Sequence, residues 1–238
     1  MLIFIDLETT GMELEDKICS VGILLFDDKE FVSKYYTLLN EGKKIPALAS
    51  MQHNITNEMI AKSEPFKKSD LYKILESYNS FDNTLVVHNQ FFVVNMLERS
   101  GLKWNGKIID TQRVVKHLVP DLESFALEFL RYELKLYRSE EELKRLCGIK
   151  DALIAHHALS DACVIKLLFD YLENEKEREV MYNLSFESVL LAKFSFGKYA
   201  GRYIEEITMS DPGYIEWMLS LENLDDDLRY SLEYYLKG

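Results

Sequence analysis

The sequence predicts an α/β protein: a mixed sheet covered by helices, followed by a small α-rich module. Three observations lead there. The opening residues hold three apolar runs separated by short polar turns, the pattern of an antiparallel meander. After them, helical and strand-like periodicities alternate, which adds strands to the meander through helical connections. A charged stretch near residue 180 then separates off a compact, aromatic-rich tail.

Residues 2–7 form a short, continuous apolar run, which predicts a central strand. Residues 11–16 interrupt it. Residues 18–26 and 31–39 give two more strands, joined by Asp27-Asp28-Lys29-Glu30, a hairpin turn without the glycine of the tightest types. Residues 46–61 read as helix or turn. Residues 66–78 have helical spacing, with Ser69 as a cap. Residues 84–87 are β-branched and strand-like, and 92–99 are helical. Residues 107–109 form a strand ending in Asp110-Thr111, and helices are expected at 122–134 and 140–147. Residues 161–174 give the clearest amphipathic helix, with Val164, Leu167, Leu168, Tyr171 and Leu172 spaced by three and four. Residues 173–179 are mostly charged and read as a solvated helix end or linker. The expected division is 1–178 and 185–238.

Composition narrows the class. The chain has 238 residues, 47% hydrophobic and 29% charged, as a soluble globular protein would. No apolar run approaches the roughly 20 residues that span a bilayer. The apolar start meets Asp6 at once and has no basic flank, so no signal peptide is expected and the expected address is the cytoplasm. Three cysteines without CxxC spacing suggest neither a disulfide framework nor a zinc site. A net charge of −12 argues against a broad nucleic-acid-coating surface. It leaves room for a nuclease, because carboxylates that hold divalent cations acquire their positive charge from the metal.

Asp6 and Glu8 are two apart on the first strand, so both carboxylates project from one face and can reach one metal ion. The alternative is an exposed strand end with two solvated acids. Asp161 opens the amphipathic helix, as an N-cap or first-turn acid, and His156 lies five residues before it. A histidine there can accept a proton near neutral pH, or simply decorate a surface loop. His157 reads as a spacer, His117 as a solvated helix residue, and Trp104 and Trp217 as packed side chains.

Four stretches, in order, resemble the DEDDh branch of the DnaQ-like 3′–5′ exonucleases: Phe-Ile-Asp-Leu-Glu-Thr-Thr-Gly-Met at 4–12, His-Asn-Ile-Thr-Asn-Glu-Met-Ile at 53–60, Val-His-Asn-Gln-Phe-Phe-Val at 87–93, and His-His-Ala-Leu-Ser-Asp at 156–161. The resemblance covers residues 1 to about 175. It implies a ribonuclease H-like fold and two-metal phosphodiester hydrolysis, with cations about 4 Å apart acting on the attacking and leaving oxygens. Mg²⁺ or Mn²⁺ suits such an all-oxygen site. By the match, Asp6 bridges both ions, Glu8 and Asp161 complete the tighter site, and His156 takes the proton from the attacking water. Thr9 and Met12 line the pocket for the 3′-terminal nucleoside, with His53 and Phe92 beside it. The implied substrate is a single-stranded DNA end, with RNA as the alternative, and the implied partners are polymerase or repair proteins.

One position departs from the pattern. Where the family's third stretch ends in aspartate, this chain has Val93. Valine binds no cation, so the second metal site is expected to be weakened and turnover slowed by orders of magnitude. Three readings fit: an impaired exonuclease that still binds ends, a slow enzyme in which another group substitutes, or an inactivating change introduced at residue 93. Asn95 and Glu98 point elsewhere on their helix. Asp110 reads as a helix cap after a strand, with metal rescue as its other reading.

The tail around Phe-Gly-Lys-Tyr-Ala-Gly-Arg-Tyr at 196–203 and Asp-Pro-Gly-Tyr at 211–214 is similar to the C-terminal module of exonuclease X-like proteins, which implies a nucleic-acid contact. Most of its aromatics are expected in the module's small core. Lys198 and Arg202 are the expected phosphate contacts, in a segment otherwise acidic.

Overall fold

The computed structural model describes residues 1–237. β1 (Leu2–Thr9), β2 (Ile18–Asp27) and β3 (Glu30–Leu38) form the antiparallel meander. Asp28 takes a left-handed conformation at φ 54°, which an aspartate tolerates, so the hairpin closes without glycine. β4 (Thr84–Val87) adds parallel to β1, and β5 (Lys107–Asp110) parallel to β4. The order β3-β2-β1-β4-β5 puts β1 at the centre of a mixed sheet, the ribonuclease H-like arrangement expected.

Both faces of β1 are covered, which is why its sequence is apolar without alternation. Ile3, Ile5 and Leu7 enter one core cluster, Leu2 and Phe4 the other. On the first side lie α3 (Asp70–Ser77) and α4 (Gln90–Arg99), while α1 (Ala47–His53) and α2 (Asn57–Ile60) pack around a small cluster of their own with Cys19, Ile45, Ile55 and Ile60. Two boundaries differ from the expected ones. Residues 66–68 form a 3₁₀ turn and Ser69 caps α3 by accepting the Tyr72 N–H. The Asn89 side chain accepts the Phe92 N–H, which starts α4 at Gln90.

On the other face lie α5 (Thr111–Leu118), α6 (Leu127–Glu133), α7 (Glu140–Cys147), α8 (Ala158–Glu173) and α9 (Arg178–Leu184). α5 was not assigned from periodicity, although its cap was: the Asp110 carboxylate accepts N–H groups from Gln112 and Arg113. His117 is half-buried on it rather than solvated, with Nε2 shielded from water. The helix expected over 122–134 shrinks to α6, because the Ser124 hydroxyl accepts the Ala126 N–H and holds a turn before it. α8 is not amphipathic in place. It lies across β1 and β2 beneath α5, α6 and α7, and only its Tyr171 edge and C-terminal end reach solvent. Its Lys166 is buried yet satisfied: Nζ bonds Asp170 at 2.6 Å and lies 4.6 Å from the Phe26 ring centroid. α9 extends the first unit past the charged stretch, with Met181 fully buried in the α8 cluster.

α10 (Ile204–Ser210), α11 (Pro212–Leu219) and α12 (Asp226–Lys237) pack around a separate small core containing Phe194, Ile204, Ile215 and Leu232. Trp217 is 54% exposed, not packed as its size suggested. Ser185, the last-turn cap of α9, ties that helix to the sheet edge: its hydroxyl accepts the Asp110 N–H at 2.8 Å and its carbonyl the Gln90 side-chain amide at 2.6 Å. Arg113 joins the two parts by a two-pronged ion pair to Asp227, at 2.8 and 3.0 Å. No helix among the described residues is long and apolar enough to cross a membrane.

Candidate active site

Asp6 and Glu8 project from β1 on the Phe4 face, toward α8. Opposite Asp6 on β2 is Gly22. A Cβ there would stand 2.2 Å from the Leu159 nitrogen and 2.4 Å from the Ala158 carbonyl carbon. The absent side chain lets the first turn of α8 rest directly on the strand. That turn carries Asp161. Ligand oxygens of Asp6, Glu8 and Asp161 lie within 4.8 Å of one another.

Three carboxylates at this spacing repel one another in a partly buried place. Burial raises the Asp6 pKa well above the ordinary range, and the Asp161 and Glu8 charges add to it. Burial and then Asp161 push Glu8 up to about 8. Burial and then Glu128 push Asp161 up to about 7, against hydrogen bonds from the His157 and His156 backbone and the Arg131 charge. Arg131 is already committed to Glu140 and Glu128. The triangle thus has oxygens and negative charge but no cation of its own. That donor set fits a hard divalent ion such as Mg²⁺ or Mn²⁺.

The remaining expected residues are placed unequally. His156 is exposed in a turn just before α8, at φ 58°, and does not join the carboxylate triangle. Its neighbour His157 is no spacer. Its ring caps α8 by accepting the Ser160 N–H at 3.4 Å and stacks on Tyr36 at 4.4 Å. Thr9 is buried, its hydroxyl donating to the Gly11 carbonyl. His53 is buried behind it. Nδ1 accepts the Ile55 N–H at 3.0 Å, so Nε2 carries the hydrogen toward the Thr9 carbonyl at 3.3 Å. Burial lowers the His53 pKa, against the Thr9 bond and with help from the His156 charge. Met12 is exposed at the tip of a loop that Asp16 organises. The Asp16 carboxylate accepts from the Thr10 hydroxyl and the Glu13 N–H and pairs with Lys43. Phe92 is half-buried against the α4 core.

Val93 is 1% exposed and faces the cluster containing Ile5 and Leu7. Among the described residues no fourth carboxylate joins the triangle. Asp110 is occupied elsewhere: its oxygens also accept the Asn89 and Gln90 N–H groups, so it caps α4 as well as α5. His88 is structural too, bridging the Thr111 hydroxyl at 2.9 Å and the Phe125 carbonyl at 2.8 Å. In the C-terminal part, Lys198 pairs with Asp211 and Arg202 with Glu206. Gly22, His157 and Asp16 shape the site and were missed. The signal for Gly22 was a glycine inside an otherwise apolar strand, which marks close backbone approach.

A model of the exonuclease family matches residues 3–169, and a model of the exodeoxyribonuclease X-like C-terminal segment matches 194–225. Exodeoxyribonuclease 10 of Escherichia coli (strain K12) is 26% identical over 241 residues, spanning all of both chains. DNA polymerase III subunit epsilon of Treponema pallidum is 29% identical over 168 residues, covering 64% of this chain and 76% of that protein. A solved structure of exonuclease X in complex with 5′ overhanging duplex DNA has the same fold, with TM-score 0.60 at 23% identity over 78% of this chain and 99% of that one. With most of its length matched and its acids gathered on one strand and one helix, the chain belongs to the exonuclease family and carries an exodeoxyribonuclease X-like segment at its C-terminal side.

Proposed function

We propose that this chain is a metal-dependent 3′–5′ exonuclease of the DEDDh type, acting on single-stranded DNA ends, with turnover impaired by Val93. The observation that carries this reading is the triangle of Asp6, Glu8 and Asp161. Asp6, Glu8 and Asp161 would hold Mg²⁺ or Mn²⁺. When bound, a divalent ion there supplies positive charge for the developing negative charge of phosphodiester hydrolysis. His156, exposed beside Asp161's helix, takes the proton of the attacking water as its oxygen bonds to phosphorus and the bond to the preceding nucleotide's 3′ oxygen breaks. Thr9, Met12 and Phe92 contact the terminal nucleoside, and His53 fixes the Thr9 backbone. Lys198 and Arg202 contact phosphates by exchanging their acidic partners.

DNA as substrate is supported by the exodeoxyribonuclease that spans the whole chain, and a polymerase or repair partner by the likeness to a polymerase subunit. Separate cores support a division into an exonuclease unit, 1–178, and a C-terminal unit, 185–238, with α9 packed on the first. The buried, aliphatic surroundings of Val93 favour a second reading, in which the protein holds DNA ends without cutting them.

Hydrolysis of a 3′-labelled single-stranded oligonucleotide with Mn²⁺ or Mg²⁺ separates the readings, comparing this chain with Val93→Asp. The substitution is expected to raise the rate by about 10²-fold or more, the scale of several kcal/mol of charge stabilisation. No hydrolysis by either folded protein would leave the end-holding reading.

A further inference from the structure

On the C-terminal unit, α10 and α12 lie side by side and leave a groove of about 840 Å³ between them. From α12 the groove is walled by Tyr230, Glu233, Tyr234 and Lys237, and from α10 by Glu205 and Met209. The spacings of three and four put each set on a single helix face. These are not core faces. Met209 is 76% exposed and Tyr234 53%, while the small core lies on the opposite side, at Ile204, Ile207, Leu228 and Leu232. The unit therefore carries a second, unpartnered apolar stripe, flanked by acids.

The charges decide what can lie there. Residues 185–238 hold ten acidic side chains against five Lys and Arg. Lys198 and Arg202 are paired with Asp211 and Glu206. Lys193 reaches the Asp121 carbonyl and lies over the Tyr203 ring, and Arg229 donates to the Leu219 and Leu221 carbonyls. Only Lys237, at one end, lines the groove with positive charge. Burial, then Glu205 and Tyr234, and finally Asp121 of the exonuclease unit, raise the Tyr235 pKa, so a further acid stands close by. A nucleic-acid strand would meet repulsion along this face. A segment with Lys and Arg beside apolar side chains would meet carboxylates at the rim, aromatic faces for its cations and a thioether for its apolar residues.

We infer that the α10–α12 groove is a docking surface for a basic, amphipathic segment of a partner protein. The C-terminal unit would then tether the exonuclease to another protein rather than grip DNA with this face. Helix-in-groove binding uses anchors at spacings of three and four, which the two facing stripes complement.

The test uses the full chain and a fluorescein-labelled amphipathic Lys/Leu helix of about 14 residues as probe, long enough to run along α12. Binding is read by fluorescence anisotropy. Two charge-reversal pairs of equal net charge are compared: Glu205→Lys with Glu233→Lys in the groove, and Glu216→Lys with Glu222→Lys on exposed positions outside it. The groove pair is expected to weaken binding about tenfold or more, and the outer pair far less. Met209→Ser is expected to weaken it without changing charge. Equal loss in both pairs would mean that the probe is gathered by net charge alone, and the inference falls. It falls equally if the full chain does not bind the probe. Thermal melts of each variant separate loss of binding from loss of fold.

Discussion

Glu8 shares its strand face with Asp6 and is pushed to about 8 by burial and the Asp161 charge, while Asp161 itself is raised to about 7. Such groups bind more protons folded than unfolded between their ordinary values, near 4, and these raised ones. Stability of the metal-free protein is therefore greatest in acid relative to this cluster and falls as pH rises through 7 to 8. In a chelator, the melting temperature is expected to drop between about pH 5 and pH 8.5 more steeply than for Asp6→Asn, which removes one charge of the triangle. At the upper end Asp6→Asn should be the more stable protein by on the order of 1–3 kcal/mol, and Mn²⁺ should close the gap. Identical pH profiles for the two would contradict the repulsion. At this scale the acids were readable, because alternation along β1 fixes their common face. The part played by His157 was not, since a ring that caps a helix and stacks on Tyr36 looks in sequence like any loop histidine.

At the scale of elements, the site depends on how closely α8 approaches the meander. Gly22→Ala would drive a methyl group into the backbone of Ala158 and Leu159. Nothing there is the flexible end of a side chain, so the helix must shift or the strand must bend. The expected cost is about 2–4 kcal/mol, read by urea denaturation, with Mn²⁺ affinity lost as Asp161 moves away. A variant with unchanged stability and metal affinity would show that the contact is softer than its geometry. All five strands were legible, because runs of apolar residues between turn signals survive any tertiary context. Helix positions were less so. α5 is short and mixed in polarity, and α8 carries an amphipathic spacing although its supposed outer face is covered by α5, α6 and α7. Periodicity reports the width of an apolar stripe and is blind to a third layer.

At the scale of the whole molecule, the junction between the two units is polar and specific. Asp227 is buried, accepts both prongs of Arg113 and takes the Val189 N–H at 2.9 Å. Asp227→Ala would leave Arg113 without its acid and Val189 without its acceptor. The expected loss is about 2–4 kcal/mol in the cooperative unfolding of the C-terminal unit. Limited proteolysis should then cut near residues 185–190 well before the exonuclease unit is attacked. Protection equal to that of the parent protein would mean that the small apolar core alone holds the unit in place. The tail's motifs announced its kind, but its docking residues lie 114 positions apart at Arg113 and Asp227, beyond any local pattern.

Ser185 has a consequence for how the chain is made. Emerging from a ribosome, the meander comes first, yet β1 waits for β4 some eighty residues later before its parallel side is covered. β5 waits longer still. Its last peptide N–H, at Asp110, and the Gln90 amide both end on Ser185. A nascent chain stopped at the charged stretch before α9 would have every acid of the site synthesised, but the parallel edge behind it would still be unlatched. The parallel edge behind the acids is thus latched late in translation, by the residue that follows α9, and not when the acids themselves are made.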